Sequence, residues 1–471
     1  METQLSHNPG SRERQTEPRS WRDIFSRKDK RSSSIARLLV FVAFNLLIVN
    51  AALILLDVVI PHPPRTEWQH RTFHPTGFFF RLIMGTDSLS GMFPALHMLE
   101  SNPQTPLYET LFFENRVKFQ YPLTSLLPYY ELKRFGVDDW DLYHLSKAIS
   151  YGCVFGTIFL TVLIALRFLP NNPPEKPRRR EIILVAIPVV IGSLIFFPLM
   201  SGAVLGQIQT VLTFGFTIAL FCWISGYEVA AGIILGLMAL VKPQYCLFFL
   251  WALVRKKFRV AAVGLICAGA IALSSCFAFG FHNNLEYLQV VRFIGSVGEG
   301  YCSNQSINGI LNRLLFNGNN LNWESHLFAP YNPFVYIGTM ASSLALLALA
   351  LFFPGAKSRR GGVADFACIV LVSTMASPVA WPHHYGIVLP ILVWLWFSDY
   401  GRRTERWAIW TIAAAYLLIS DSIPSVAAVA SIPVLNILES YLYFGAILLL
   451  ILLMKSKASL PQTIPGSIGS L

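Results

Sequence analysis

Arg255-Lys256-Lys257-Phe258-Arg259 runs directly into VAAVGLICAGAIALSSCFAFG, residues 260–280, so a basic cluster abuts a segment without a single charge. That segment has the roughly 20 residues a helix needs to cross a bilayer. Lipid offers the backbone no hydrogen-bond partner, so a spanning segment of this kind must be helical. Lys and Arg gather on the cytoplasmic ends of spans. The same juxtaposition recurs along the chain, at Arg178-Arg179-Arg180, at Lys357 with Arg359-Arg360, at Arg402-Arg403 with Arg406, and at Lys455 with Lys457. The 471 residues are 54% hydrophobic and only 13% charged, against roughly 25% charged in a water-soluble domain. Too little polar surface remains to cover a globule in water. The net charge of +11 is therefore read as topology and contact with anionic membrane lipid, and no nucleic acid partner is expected.

Windows of about 20 residues place further spans near 37–60, 146–169, 182–204, 208–225, 333–354, 363–379, 386–399, 406–421 and 437–454. Residues 228–254 are apolar apart from Glu228 at their start and Lys242-Pro243-Gln244 in the middle. A lysine followed by proline is costly inside lipid, so two short helices meeting at the outer surface are expected there. The fold class predicted is an all-α polytopic membrane protein, a bundle of about 12 transmembrane segments with a large first extracytoplasmic loop. Both termini then lie inside: residues 1–36 form a disordered basic cytoplasmic tail, 37–455 the membrane domain, and 456–471 a short cytoplasmic tail. Residues 61–145 and 281–332 are extracytoplasmic loops, and loops this long in a compact bundle are usually functional. The seven cysteines show no CxxC or ligand spacing, so structural thiols are expected and no metal site or cofactor.

The polar residues at helix ends collect on the outer side. Gly206-Gln207 joins the third and fourth spans, Lys242-Pro243 is the broken turn, and Trp381-Pro382-His383-His384-Tyr385 joins the ninth and tenth. The plainer reading has His383 and His384 capping helix ends and Lys242 snorkelling to headgroups. Paired histidines beside a Trp-Pro break, level with other polar turns, favour a site. The Asp138-Asp139-Trp140-Asp141 cluster reads as a solvated turn or helix start.

In order and on the expected membrane face, these elements resemble the GT-C superfamily of membrane glycosyltransferases, and more closely the polyprenyl-phosphate-dependent mannosyl- and arabinofuranosyltransferases of glycosyltransferase family 87. The family's first outer loop runs from an Asp to Leu-Tyr and then Phe-x-Tyr-Pro, here Asp87, Leu107-Tyr108 and Phe119-Gln120-Tyr121-Pro122. Its Gly-Gln turn matches Gly206-Gln207, and its Ala-Gly, Gly-Leu and Lys-Pro pieces match Ala231-Gly232, Gly236-Leu237 and Lys242-Pro243. Its Asn-Gln-Ser, Gly and Arg match Asn304-Gln305-Ser306, Gly309 and Arg313, and its Ser-Pro-x-x-Trp-x-His-His matches Ser377-Pro378, Trp381 and His383-His384. The likeness covers roughly residues 80–400. The family often carries an aromatic soon after the Asp, where this chain has Ser88-Leu89-Ser90-Gly91-Met92-Phe93. Asp57 is therefore kept as an alternative to Asp87.

The resemblance implies a GT-C-type bundle in the plasma membrane with an extracytoplasmic active site. It implies transfer of a hexose such as mannose, or a pentose, from a polyprenyl phosphate sugar donor to a glycan or glycolipid acceptor. The departing phosphate gains charge, for which Lys242 and Arg313 are the cationic candidates. Asp87 is the expected base for the acceptor hydroxyl with a histidine of the His383–His384 pair orienting or relaying, and the reverse assignment stays open. Tyr108, Tyr121 and Trp381 would offer faces to sugar rings, and Gln207, Asn304, Gln305 and Ser306 would complete the substrate-binding set. A transporter or flippase of lipid-linked sugars is the alternative, since broken helices also serve transport. Such proteins usually show repeated halves, and none is visible here.

Overall fold

The computed structural model describes residues 34–49, 51, 52, 55, 85–169, 179–353, 359–398, 406–420 and 429–458. Most of the N-terminal tail, Asp57, residues 61–84, Arg178, Lys357, Arg402, Arg403 and residues 459–471 lie outside them. Every regular element among the described residues is helical. In chain order these are α1 (Ser34–Val49), α2 (Asp87–Ser101), a π-helical turn at Tyr108–Glu114, α3 (Leu127–Arg134), α4 (Asp139–Arg167), α5 (Arg179–Leu194) and α6 (Phe197–Val204). Then follow α7 (Gln209–Ser225), α8 (Glu228–Ala239), α9 (Leu247–Val254), α10 (Phe258–Phe279), α11 (Phe281–Val297) and α12 (Ile307–Leu314). The chain continues through α13 (Pro333–Phe352), α14 (Arg359–Met375), α15 (Val388–Phe397), α16 (Arg406–Ser420) and α17 (Tyr441–Ala458).

Among the described residues, four helices are long and apolar enough to cross a membrane, at Asp139–Arg167, Phe258–Phe279, Pro333–Phe352 and Leu435–Lys457. A fifth span results if α5 and α6, bent by 55° at their break, are taken together. The other apolar segments among the described residues form shorter helices, so length and composition there give four or five full spans. The shortening has local causes. Pro198 opens α6, Pro243 opens a 3-10 turn before α9, and Pro382 opens another before α15; none of the three can donate to a preceding turn. The second span starts well before residue 146, because Asp138 caps α4 by accepting from Asp141 N at 2.8 Å.

Helices α8 and α10 meet backbone to backbone. A Cβ on Gly232 would lie 2.8 Å from Val260 O, one on Gly236 2.6 Å from Gly264 O, and one on Gly264 2.8 Å from Gly232 O. Small residues four apart allow this approach where lipid supplies no hydrophobic drive between helices. On the side of the bundle that carries Arg255, the guanidinium donates to Asp365 at 2.6 and 3.1 Å and to the carbonyls of Ala350, Leu351 and Phe353, the last turn of α13. Lys457 adds a second cation to Asp365 at 2.5 Å.

The two stretches read as loops build one lobe with its own apolar core. Leu89, Met92 and Leu99 of α2 pack with Tyr108, Phe112, Phe119 and Leu123, and with Phe279 and Val290 from the ends of α10 and α11. Asn283 of α11 fastens the seam, accepting from Leu107 N at 3.1 Å and donating to Thr105 O at 2.9 Å. The opposite face of α11 exposes Phe281, Leu285, Leu288 and Val291.

Candidate functional site

The turn between α6 and α7 is the hub of the site. Gly206 takes φ +70°, a left-handed conformation that glycine adopts without strain. This lets Gln207 N return to Gly202 O at 2.8 Å. The N-terminus of α2 docks on the same turn, with Asp87 N donating to Leu205 O at 3.0 Å. Gln207 Nε2 then donates to Asp87 Oδ2 at 2.6 Å, and Gln207 Oε1 accepts from Ser88 Oγ at 3.1 Å. Ser88 has one hydroxyl hydrogen and gives it to Gln207, so it accepts from Ile208 N at 3.0 Å and from Tyr121 Oη at 3.0 Å. Donors therefore run from Tyr121 through Ser88 and Gln207 and end on Asp87. Such a chain fixes the carboxylate as a pure acceptor and polarises along its length. The Asp87 residue is open to solvent, yet its carboxylate is walled by protein. That crowding raises its pKa above the ordinary carboxylate value, and the Gln207 bond opposes the rise.

Two residues further on, Gln209 reaches a second group. Its Oε1 accepts from Lys242 Nζ at 2.9 Å, and Lys242 Nζ stands 2.7 Å from His384 Nε2. Lys242 is delivered by α8, whose packing on α10 was described above. His384 Nδ1 also faces Trp381 N at 3.3 Å. A neutral imidazole carries one N–H. If Nδ1 accepts from Trp381, Nε2–H points at a neutral amine; if an ammonium donates to Nε2, the Trp381 contact is lost. In either arrangement Lys242 and His384 share one proton. His383 lies edge-on to His384 at 4.8 Å and packs against Gly202. Its Nε2 is buried without a hydrogen-bond partner, as is Gln209 Nε2.

The Asn304–Arg313 element is built differently. Asn304 Nδ2 donates to Glu299 O and Pro378 O at 2.8 and 3.0 Å, while Oδ1 accepts from Ala380 N and Ser306 Oγ. Gln305 Nε2 donates to Cys302 O and Glu439 O, and Gln305 O accepts from Tyr385 Oη at 2.6 Å. Ser306 caps α12 through Gly309 N. A Cβ on Gly309 would fall 2.1 Å from Asn304 O, so only glycine fits. Arg313 is 1% exposed. Its Nη1 donates to Asn304 O at 3.0 Å, its Nη2 to Ser440 Oγ, and its Nε faces the Glu439 carboxylate at 3.7 Å. These four residues clamp the second outer stretch to Pro378–Ala380 and to the start of α17.

Of the aromatics, Tyr108 is fully buried in the lobe core, stacked on Phe119 and donating to Tyr121 O at 2.7 Å. Tyr121 acts through its hydroxyl on Ser88. Trp381 is half-buried, close to Trp323 and Tyr301. Sequence reasoning missed Gln209, Ser88 and Glu439. For Gln209 the signal was present, since a second glutamine two places beyond Gln207 lies on the same turn. Among the described residues, no three His, Cys, Asp or Glu side chains gather as a metal site would require.

The sequence profile of glycosyltransferase family 87 matches residues 119–378, more than half of the 471 residues. The chain is 25% identical over 249 residues to the polyprenol-phosphate-mannose-dependent alpha-(1-2)-phosphatidylinositol mannoside mannosyltransferase of Mycobacterium tuberculosis, covering 52% of this chain and 54% of that one. The protein of the same description in Mycolicibacterium smegmatis is 27% identical over 199 residues, 40% of this chain and 42% of its own. A pentamannoside mannosyltransferase of M. smegmatis is 27% identical over 201 residues, 42% of this chain and 45% of its own. The chain thus spans about half the length of the curated relatives it matches. No solved structure matches it.

Proposed function

This chain belongs to glycosyltransferase family 87, and from that premise we propose that it transfers a mannosyl unit from a polyprenyl phosphate donor to a phosphatidylinositol mannoside-like glycolipid. The names of its relatives support both substrates. The relatives above are transferases, and nothing in them favours a flippase. The proposal sets the active site on the outer face of the plasma membrane, with the Arg255 end of the bundle and both termini in the cytoplasm. Each short apolar helix counts as a segment of its own in the twelve, and residues 61–145 and 281–332 stand outside.

One observation carries the chemistry: a half-buried lysine is held by an amide oxygen and an imidazole nitrogen, with no carboxylate paired to it among the described residues. Lys242 Nζ meets Gln209, whose Nε2 is buried without a partner, and His384, which stands edge-on to His383, whose Nε2 is likewise without one. That set suits a phosphate that gains charge as it departs, because donors already in place stabilise developing charge without reorganisation. The acceptor hydroxyl oxygen attacks the anomeric carbon of the donor and the bond from that carbon to the phosphate oxygen breaks, through an oxocarbenium-like transition state. Polyprenyl phosphate leaves as the anion, and the hydroxyl proton passes to Asp87. Gln207 holds Asp87 in the acceptor state that role demands. Arg313 and Asn304–Ser306 serve the site by fixing the Trp381–His384 turn.

The direct test reconstitutes the full chain in liposomes with polyprenyl phosphate mannose and a phosphatidylinositol mannoside. Radiolabelled mannose should appear on the glycolipid. Movement of intact donor across the bilayer without transfer would overturn the proposal.

A further inference from the structure

Three aromatic rings converge beside the histidine turn from three separate segments. Trp381 lies 5.1 Å from Trp323 and 6.3 Å from Tyr301, and those two are 6.1 Å apart. None of the three belongs to an apolar core cluster. Trp323 is 41% exposed, and the other two are half-buried. Rings of this size normally repay their ordering by burial, so a partly open group held together calls for another account.

The holding is elaborate. Lys118 Nζ sits 3.9 Å from the centroid of Trp323 and 4.3 Å from that of Phe328. It donates to Glu299 Oε2 at 3.1 Å and to Glu324 O at 2.9 Å. Both side chains of the ion pair are only 10% exposed, a setting in which desolvation offsets much of the attraction. What the pair secures is position, tying the first outer stretch to the second directly under Trp323. The segment carrying Trp323 is likewise preset: Asn319 Oδ1 accepts from Leu321 N and Asn322 N, and Asn319 Nδ2 donates to Glu324 Oε1 at 2.9 Å. A rigid aromatic surface flanked by amides suits an uncharged polyol ring, whose C–H face packs on aromatics while its hydroxyls meet amides. It adjoins the chemistry through Trp381, whose backbone faces His384.

We propose that Tyr301, Trp323 and Trp381 form a subsite for a sugar or cyclitol ring of the acceptor headgroup, with the Lys118–Glu299 pair positioning Trp323. The inference rests on the transferase reading for the identity of the ring. The donor is the poorer occupant, because its phosphate belongs at Lys242 and its tail among the helices, whereas the acceptor's glycan is the part that faces water.

The test titrates the detergent-solubilised full chain calorimetrically with a phosphatidylinositol mannoside and, in parallel, with phosphatidic acid, which has lipid and charge but no ring. Trp323→Ala should weaken mannoside binding by about tenfold, the upper range of a single aromatic contact, and leave phosphatidic acid binding alone. Trp323→Phe should keep most of the affinity. In turnover assays the acceptor KM should rise while the donor KM holds. Equal weakening of both lipids would make Trp323 an interfacial membrane anchor and overturn the subsite, as would no change at all. A wild type that binds the mannoside through Trp323 but transfers nothing would instead overturn the transferase reading and leave the subsite standing.

Discussion

Arg313 is a buried cation and Lys242 a half-buried one, both on the side of the bundle that carries the candidate site, and their surroundings differ. Arg313 sends its planar fork to the carbonyl of Asn304, the hydroxyl of Ser440 and the carboxylate of Glu439. Lys242 has a glutamine oxygen and one imidazole nitrogen, and no carboxylate pairs with it among the described residues. A guanidinium suits several fixed acceptors at once, while an ammonium on a flexible stem acts as a point charge. The contrast separates scaffold from site better than residue type does: the cation that faces a carboxylate is structural, and the one held only by neutral groups awaits an anion.

The largest effect should come from the acid beside the open cluster. Asp87→Asn is expected to lower turnover by about a hundredfold to ten-thousandfold, the usual cost of a missing general base, with thermal unfolding of the purified protein unchanged. Retention of more than about a tenth of wild-type turnover would remove Asp87 as the base. The cations themselves come next. Arg313→Ala should destabilise the protein by about 3–5 kcal/mol, as breaking a buried pair does, and Arg313→Lys should not restore it. Lys242→Ala should instead fold normally and lose about a hundredfold to a thousandfold in donor use, with Lys242→Arg recovering part. If the two alanine variants behave alike in unfolding and in donor kinetics, the distinction between scaffold and site collapses.

Smaller effects sharpen the same contrast. Gly232→Val forces a side chain against Val260 O and should cost about 1–3 kcal/mol of stability, with donor use falling as Lys242 shifts; unaltered unfolding would mean that the α8–α10 contact yields. Gln207→Leu removes the bond that opposes the raised pKa of Asp87. A base works deprotonated, so activity falls as pH drops through its pKa. The acidic limb of kcat/KM should therefore lie above the ordinary Asp value of about 3.9 in the wild type. In the variant it should move up further, and a limb that stays in place would show that Gln207 does not tune Asp87.

Much of this contrast is invisible in one dimension. Hydropathy and charge placement revealed a helical membrane protein, and Lys242-Pro243 marked the helix break, because both signals are local. The partners that set Arg313 apart from Lys242 are not local. Glu439 and Ser440 lie at the start of the last helix, so the two cations read alike until the chain is folded. Tyr108 has the same limitation: its place in the motif pointed to a sugar face, but the packing of α2 and α11 around it makes it core. Gln209 shares the turn of Gln207, but its partner Lys242 lies 33 residues on, so its role is not local either. The early start of α4 at Asp139 escaped the hydropathy windows because its first turns are polar, although Asp138 was read as a possible helix start.

The seam between α8 and α10 has a mechanical consequence. Where carbonyls of one helix touch glycines of the other, no rotamer stands between them to rearrange, so the two helices shift only as a pair. α10 turns at Gly280 into α11, and its last residues join the core that seats α2. Lys242, just past the end of α8, and Asp87, on the lobe held at the Phe279 end of α10, lie toward the same end of this strut and thus keep a fixed span, and whatever parts to admit a lipid tail must do so along a different seam.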